Sequence, residues 1–224
     1  MNVRVASVAV LLALAGCFPY HHSRPGAESW SKGVRKVGVL SAIRVVQILP
    51  GGIEERHEEW TDQAAKNVLQ ALSEGLRKRG FAAKAMSWKG DAELDDVRLL
   101  YAEVAEAIWR YTYPPYPFPY KQERFEYGVG PIGKILDRAG ADVLVVAAGG
   151  DHVGSDGRKF SIFAGYQAMA LLTLGLVDRE GNVIWFDVWG GAGIDLRNDA
   201  DVRGAVDKML NELPGAAGAA GVAR

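Results

Sequence analysis

Apolar and polar positions along this chain change period several times, and each change marks an element. Val34 to Leu49 carries Val37, Val39, Val45, Val46 and Ile48 and predicts one long strand, or two with a kink near Ser41. Pro50-Gly51-Gly52 ends it. From Glu54 to Arg79 the period becomes helical, with Trp60, Ala64, Val68, Leu72 and Leu76 recurring every fourth residue. Arg77-Lys78-Arg79 sits where a helix dipole favours cations, and Gly80 caps the end. Phe81 to Trp88 predicts a strand. Gly90-Asp91 opens a second helix with Leu94, Val97, Tyr101, Val104 and Ile108 on one face, and Gly128 to Gly140 reads as a shorter helix with Ile132, Ile135 and Leu136 inward.

The second half is more strand-like. Asp142 to Ala148 contains Val143-Leu144-Val145-Val146, a continuous apolar run expected of a strand covered on both faces. Phe160–Val177 and Val183–Trp189 are apolar strands joined by the turn Asp178-Arg179-Glu180-Gly181-Asn182, so they predict an antiparallel hairpin. Asp199 to Leu213 is a final helix with Val202, Val206, Met209 and Leu210 inward. The order β-α-β-α-α-β-β-β-α predicts an α/β (α+β) domain over residues 34–213. A single mixed sheet of about five strands would carry the helices, closed by the hairpin. Residues 17–33, with Pro19, Pro25, Gly26 and Gly33, read as a flexible tether; the sixteen residues after Cys17, at 3.3–3.6 Å each, reach roughly 50 Å. Residues 214–224 read as a disordered Gly/Ala tail.

Composition narrows the function. At 49% hydrophobic and 24% charged, the chain can fill a core and is not a disordered polyelectrolyte. A net charge of −1 argues against binding nucleic acid by phosphate neutralisation. One cysteine excludes an intrachain disulfide framework and a multi-cysteine zinc site.

That cysteine stands at an informative place. Met1-Asn2-Val3-Arg4 is followed by an apolar run from Val5 to Ala15, interrupted only by Ser7, and then by Gly16-Cys17. The run is too short to span a bilayer, which takes about 20 apolar residues, and has the layout of a secretory signal. Leu14-Ala15-Gly16-Cys17 resembles the lipobox of bacterial lipoproteins. The resemblance implies cleavage after Gly16, a diacylglyceryl group on the Cys17 thiol and a further acyl chain, such as palmitate, on the new amino terminus. Several chains at about 0.8 kcal/mol per buried methylene give a stable anchor where one does not. Phe18 follows where an aspartate would hold an enterobacterial lipoprotein at the inner membrane. That implies the outer membrane, facing the periplasm. Loss of Arg4 with the leader takes the net charge from −1 to −2.

The arrangement also resembles a group of envelope lipoproteins with a small α/β domain like the TolB N-terminal domain, LpoB and CsgG. The likeness rests on Cys17, on Lys36-Val37-Gly38-Val39-Leu40, on the strand from Ala141, and on the hairpin Leu176-Val177-Asp178 to Gly181-Asn182-Val183-Ile184-Trp185. It implies a non-enzymatic protein that binds or assembles with other envelope proteins, leaves room for an oligomer, and implies no cofactor and no metal. The chain departs from that group in its Pro/Tyr loop and long second helix, and channel activity is not carried over.

Three segments are candidates for chemistry. Gly128-Val129-Gly130-Pro131-Ile132-Gly133 matches G-x-G-x-x-G, but a dinucleotide fingerprint needs an apolar strand before it, and Lys121 to Tyr127 is charged and aromatic. Gly149-Gly150-Asp151-His152 follows a buried strand, where α/β sheets place sites. An Asp–His pair there would suit a hydrolase or a small-ligand site, against the plainer reading of a chain-turning loop. His21-His22 falls in the tether, and His57 sits on an acidic helix turn with Glu54, Glu55, Glu58 and Glu59. The third is Tyr113-Pro114-Pro115-Tyr116-Pro117-Phe118-Pro119-Tyr120, where alternating rings and prolines predict a stiff, extended surface with little entropy to lose on binding. Tyr113, Tyr116, Phe118 and Tyr120 are the candidate partner-binding residues. The plainer reading is that these rings cover the domain's own sheet.

Overall fold

Two strands, apolar on both sides, form the centre of the sheet. β2 (Lys36–Ile48) runs parallel to β5 (Val143–Gly154), in register from Val37 opposite Val143 to Ile48 opposite Gly154. The computed structural model describes residues 21–115, 117–154, 169–191 and 194–215. Gly16, Cys17, Tyr116, the start of the strand predicted from Phe160, and the tail from 216 lie outside the described residues. β6 (Ala170–Val177) pairs antiparallel with β5, and β7 (Val183–Gly191) antiparallel with β6, which is the predicted hairpin. The other side of β2 is shared by β3 (Glu54–Arg56, antiparallel) and β4 (Ala82–Ala85, parallel), and β1 (His21–Ser23) adds antiparallel to β7. The result is one mixed sheet of seven strands in the order β1-β7-β6-β5-β2-β3, with β4 beside β2. The two strands beyond the expected five are the three-residue pieces β1 and β3.

Strand periodicity sorts the side chains into two cores. Val37, Val39, Val45, Val145, Leu172, Leu174 and Trp185 face one side, where α1 (Glu58–Lys78) and α5 (Asp199–Asn211) cover them. Leu40, Leu144, Val146, Phe186 and Val188 face the other, under α2 (Ala92–Thr112) and α4 (Gly133–Ala139). Both layers bury their predicted stripes: Val68, Leu72, Leu76, Tyr101 and Ile108 are fully enclosed.

Helix ends follow from capping chemistry. α1 starts at Glu58 rather than Glu54, because the His57 side chain accepts the Trp60 N–H at 3.3 Å and its ring stacks on Trp60 at 3.8 Å. Glu54–Arg56 are thereby free to pair with β2. Asp91 caps α2 by accepting the Leu94 N–H.

The largest departure from expectation is at the N-terminus. Residues 21–33 are not a free tether. His21, His22 and Ser23 pair with Asp187, Phe186 and Trp185, the Arg24 N–H donates to the Ile184 carbonyl, and a 3-10 turn follows at Ala27–Ser29. Trp30 is then buried, stacked on Phe81 at 5.2 Å, and donates its indole N–H to the Pro214 carbonyl. The N-terminal segment and the end of α5 lock each other onto the domain. Trp30→Ala should therefore destabilise the whole domain by about 3–5 kcal/mol in urea unfolding, as a core aromatic does and a tether residue would not.

Tyr101 makes a second test of packing. Its hydroxyl is buried with no hydrogen-bond partner among the described residues and rests on Gly175, where an added Cβ would overlap the oxygen. Gly175→Ala should cost about 1–3 kcal/mol by overpacking, whereas Tyr101→Phe, which deletes an unpaired buried hydroxyl, should leave stability unchanged or raise it.

Candidate functional site

The sheet edge at β1 and β7 brings together groups that the sequence scatters over residues 21–24, 113–127, 187 and 212. The His22 ring lies between Tyr113, edge-on at 5.0 Å, and Phe125, stacked at 5.9 Å. Tyr113 in turn leans on Phe186 and on Trp109. The Arg24 guanidinium donates to the Tyr127 carbonyl at 2.8 Å, so the segment after the Pro/Tyr loop clasps β1 from the far side. His21 Nδ1 stands 3.6 Å from a carboxylate oxygen of Glu212.

This arrangement divides the candidate partner-binding rings. Tyr113 is 3% exposed and belongs to the core beneath α2; burial pushes its hydroxyl well above the usual phenol range. Phe118 and Tyr120 are 55% and 54% exposed. The Phe118 ring stacks on Tyr111 at 5.1 Å and its N–H donates to the Tyr111 carbonyl, which holds it at the end of α2. The extended course predicted from the prolines stops at Pro119, which is the first residue of α3 (Pro119–Glu123), a position that tolerates proline's missing N–H. Lys121 and Arg124 lie over the rings of Tyr127 and Tyr120 at 4.5 and 5.3 Å.

Asp151 and His152 are not brought together. They stand inside β5 rather than in a loop after it, and successive strand residues point to opposite faces. The Asp151 carboxylate is buried and accepts the Leu196 N–H at 2.9 Å, fixing the segment before α5. His152 faces outward, its Nε2 3.5 Å from Glu54 on β3. The first is a structural carboxylate and the second an edge contact. The glycine-rich run at 128–133 is likewise structural. Gly128 bridges to Asn182, the Val129 N–H donates to the Gly181 carbonyl and the Ile132 N–H to the Arg179 carbonyl, so the run is sewn to the β6–β7 turn. No group of three or more metal-ligating side chains occurs among the described residues.

Besides the Tyr113 phenol, burial at this edge opposes the ionisation of Asp187 and His22. Asp187 is pushed from 3.8 up to about 7, first by burial and then by Glu212, while the Val188 N–H at 2.8 Å pulls the other way. Burial, then His21, holds His22 below the usual histidine range. A carboxyl whose folded pKa is raised binds more protons folded than unfolded, so its contribution falls as pH rises from about 4 to 7. His22 works in the opposite sense, costing stability as pH falls below 6.5. Asp187→Asn keeps an acceptor for the Val188 N–H and removes the ionisation. It should be more stable than the parent at pH 8, with the gap narrower at pH 5 and nearly closed at pH 4, in urea unfolding at the three pH values.

No protein-family model and no curated protein matches the chain. Among solved structures it is similar to a PelC dodecamer from Paraburkholderia phytofirmans, at 12% identity and a TM-score of 0.40, over 87% of this chain and 94% of that one. A point variant of the PelC dodecamer from that organism is similar at 12% identity and a TM-score of 0.36, over 81% and 90% of the two chains. Lipoprotein GNA1162 from Neisseria meningitidis is similar at 12% identity and a TM-score of 0.34, over 80% and 97%. Likenesses this distant assign no activity and no partner to this chain.

Proposed function

We propose that this protein is a non-enzymatic lipoprotein of the bacterial envelope, anchored through Cys17 in the outer membrane and facing the periplasm. It would act in envelope assembly or as a regulatory or scaffolding partner of another envelope protein. The observation that carries the reading is Leu14-Ala15-Gly16-Cys17 at the end of an apolar run, with the chain's one cysteine at the position the motif requires. Small residues at Ala15 and Gly16 admit a peptidase to the backbone, and the thiol is the nucleophile that accepts the lipid. The absence of aspartate at residue 18 favours the outer over the inner membrane.

The domain behind the anchor supports a binding role. Its exposed rings Phe118 and Tyr120 stand on a braced loop, a surface that contacts something without having to be ordered first. Asp151 and His152 serve the scaffold, which takes away the motive for placing a hydrolase or small-ligand site there.

Metabolic labelling with a fatty acid tests the anchor. The parent chain should incorporate label and fractionate with membranes, and Cys17→Ser should lose the label. Retained label in Cys17→Ser would refute the assignment. Crosslinking in intact cells, followed by mass spectrometry, should recover a defined envelope protein with the parent and lose it with Cys17→Ser.

A further inference from the structure

We infer that the domain rests directly on the bilayer in which Cys17 is anchored, with Phe118 and Tyr120 seated among the lipid headgroups. This rests on the lipoprotein reading and names the partner of the exposed rings: a lipid surface.

The argument begins with chain length. Docking of β1 fixes His21 on the domain, so only Phe18, Pro19 and Tyr20 separate it from Cys17. Four Cα–Cα steps at no more than 3.6 Å each span about 14 Å. The lipid attachment point therefore stays within that distance of the sheet edge, whereas the tether expected from composition would have allowed roughly 50 Å. A domain tied so closely must present a surface near β1 to the membrane.

The rings near β1 suit that surface. His22 touches Tyr113 at 5.0 Å, and Tyr113 lies two residues from Tyr111, on which Phe118 stacks. Phe118 and Tyr120 are among the most exposed large apolar side chains of the described residues, and they flank Pro119. Exposed apolar rings are costly in water, yet aromatic rings with a polar tip or neighbour are favoured at the membrane–water boundary. Charge selects among surfaces. Around these rings, Lys121 and Arg124 are matched by Glu123 and Glu126, so there is no basic excess to seek anionic lipid. The contact is apolar and aromatic and takes a zwitterionic headgroup layer.

The test uses the lipidated full chain in vesicles of phosphatidylethanolamine and phosphatidylglycerol. Because Cys17 is consumed by lipid, Phe118→Cys and Tyr120→Cys each introduce one free thiol for an environment-sensitive fluorophore. Leu99→Cys is the reference: it is exposed, and lies about 20 Å along α2 from its last residue, Thr112. With nitroxide-bearing lipids in the vesicles, labels at 118 and 120 should lose most of their emission, and the label at 99 should keep it. The loss should be unchanged in 0.5 M salt (roughly a 4 Å Debye length). Vesicle-bound protein with unquenched labels at 118 and 120 would overturn the inference while leaving the anchor intact. Protein that fails to stay with vesicles would overturn the anchor and the inference together. A photocrosslinker at residue 118 that captures a protein in cells, with the vesicle labels unquenched, would assign the rings to a protein partner instead.

Discussion

The parallel pairing of β2 with β5 is the constraint from which the other layers follow. Both strands are apolar at consecutive positions, Val143 to Ala148 most completely, so neither face of the pair can meet water. A parallel pair also cannot be closed by a tight turn; it needs a long crossover, and here the crossover supplies helices. Each face receives a helical layer, and Leu144 and Val145, neighbours in sequence, end in different cores. At about 1.5–3 kcal/mol for each large side chain enclosed, the two faces outweigh any single polar contact at the edges. The edges can then be short, and β1, β3 and β4 are.

This division explains what could be read from the sequence and what could not. Strands rich in Val, Ile and Leu and helices with a four-residue apolar repeat announce themselves through side chains. The central strands, the hairpin, α1, α2 and α5 were legible for that reason. β1 is His21-His22-Ser23 and β3 is Glu54-Glu55-Arg56; their place in the sheet is decided by backbone hydrogen bonds at an edge, where no apolar pattern is needed. Trp30 was the one cue that residues 21–33 pack on the domain, a large aromatic in an otherwise polar stretch. Gly149-Gly150 read as a loop because glycine usually interrupts strands. At Gly149, however, an added Cβ would collide with the Leu171 carbonyl oxygen, so the close approach of β6 is what excludes a side chain, and the strand runs on to Gly154. That extension turns Asp151 and His152 away from each other.

The candidate rings were legible as a group and not individually. Alternation with proline marks Tyr113 to Tyr120 as unusual, yet it does not say which rings face inward. The end of α2 decides that. Thr112 and Tyr113 continue the buried side of the helix, so Tyr113 joins the core, whereas Phe118 returns to stack on Tyr111 from outside. Among the described residues, the loop thus carries one structural ring and two exposed ones, and of these three the exposed pair is available to a partner.

β1 is, with β3, one of the two shortest strands of the sheet. A three-residue ladder is weak by itself. β1 is retained by what surrounds it: His22 between two aromatic rings, Arg24 on the Tyr127 carbonyl, and Trp30 against Phe81 and Pro214. Two of the groups at that edge pay for their burial in opposite directions of pH, Asp187 as pH rises and His22 as it falls. Acid charges His22 and base ionises Asp187, so burial of this edge is opposed at either extreme of pH. Release of β1 would lengthen the stretch of chain that leads away from the docked Trp30. Under the proposed anchoring at Cys17, whether the domain would lie against the membrane or hang free of it turns on the edge chemistry of one short strand, and not on the large cores that hold the rest of the fold.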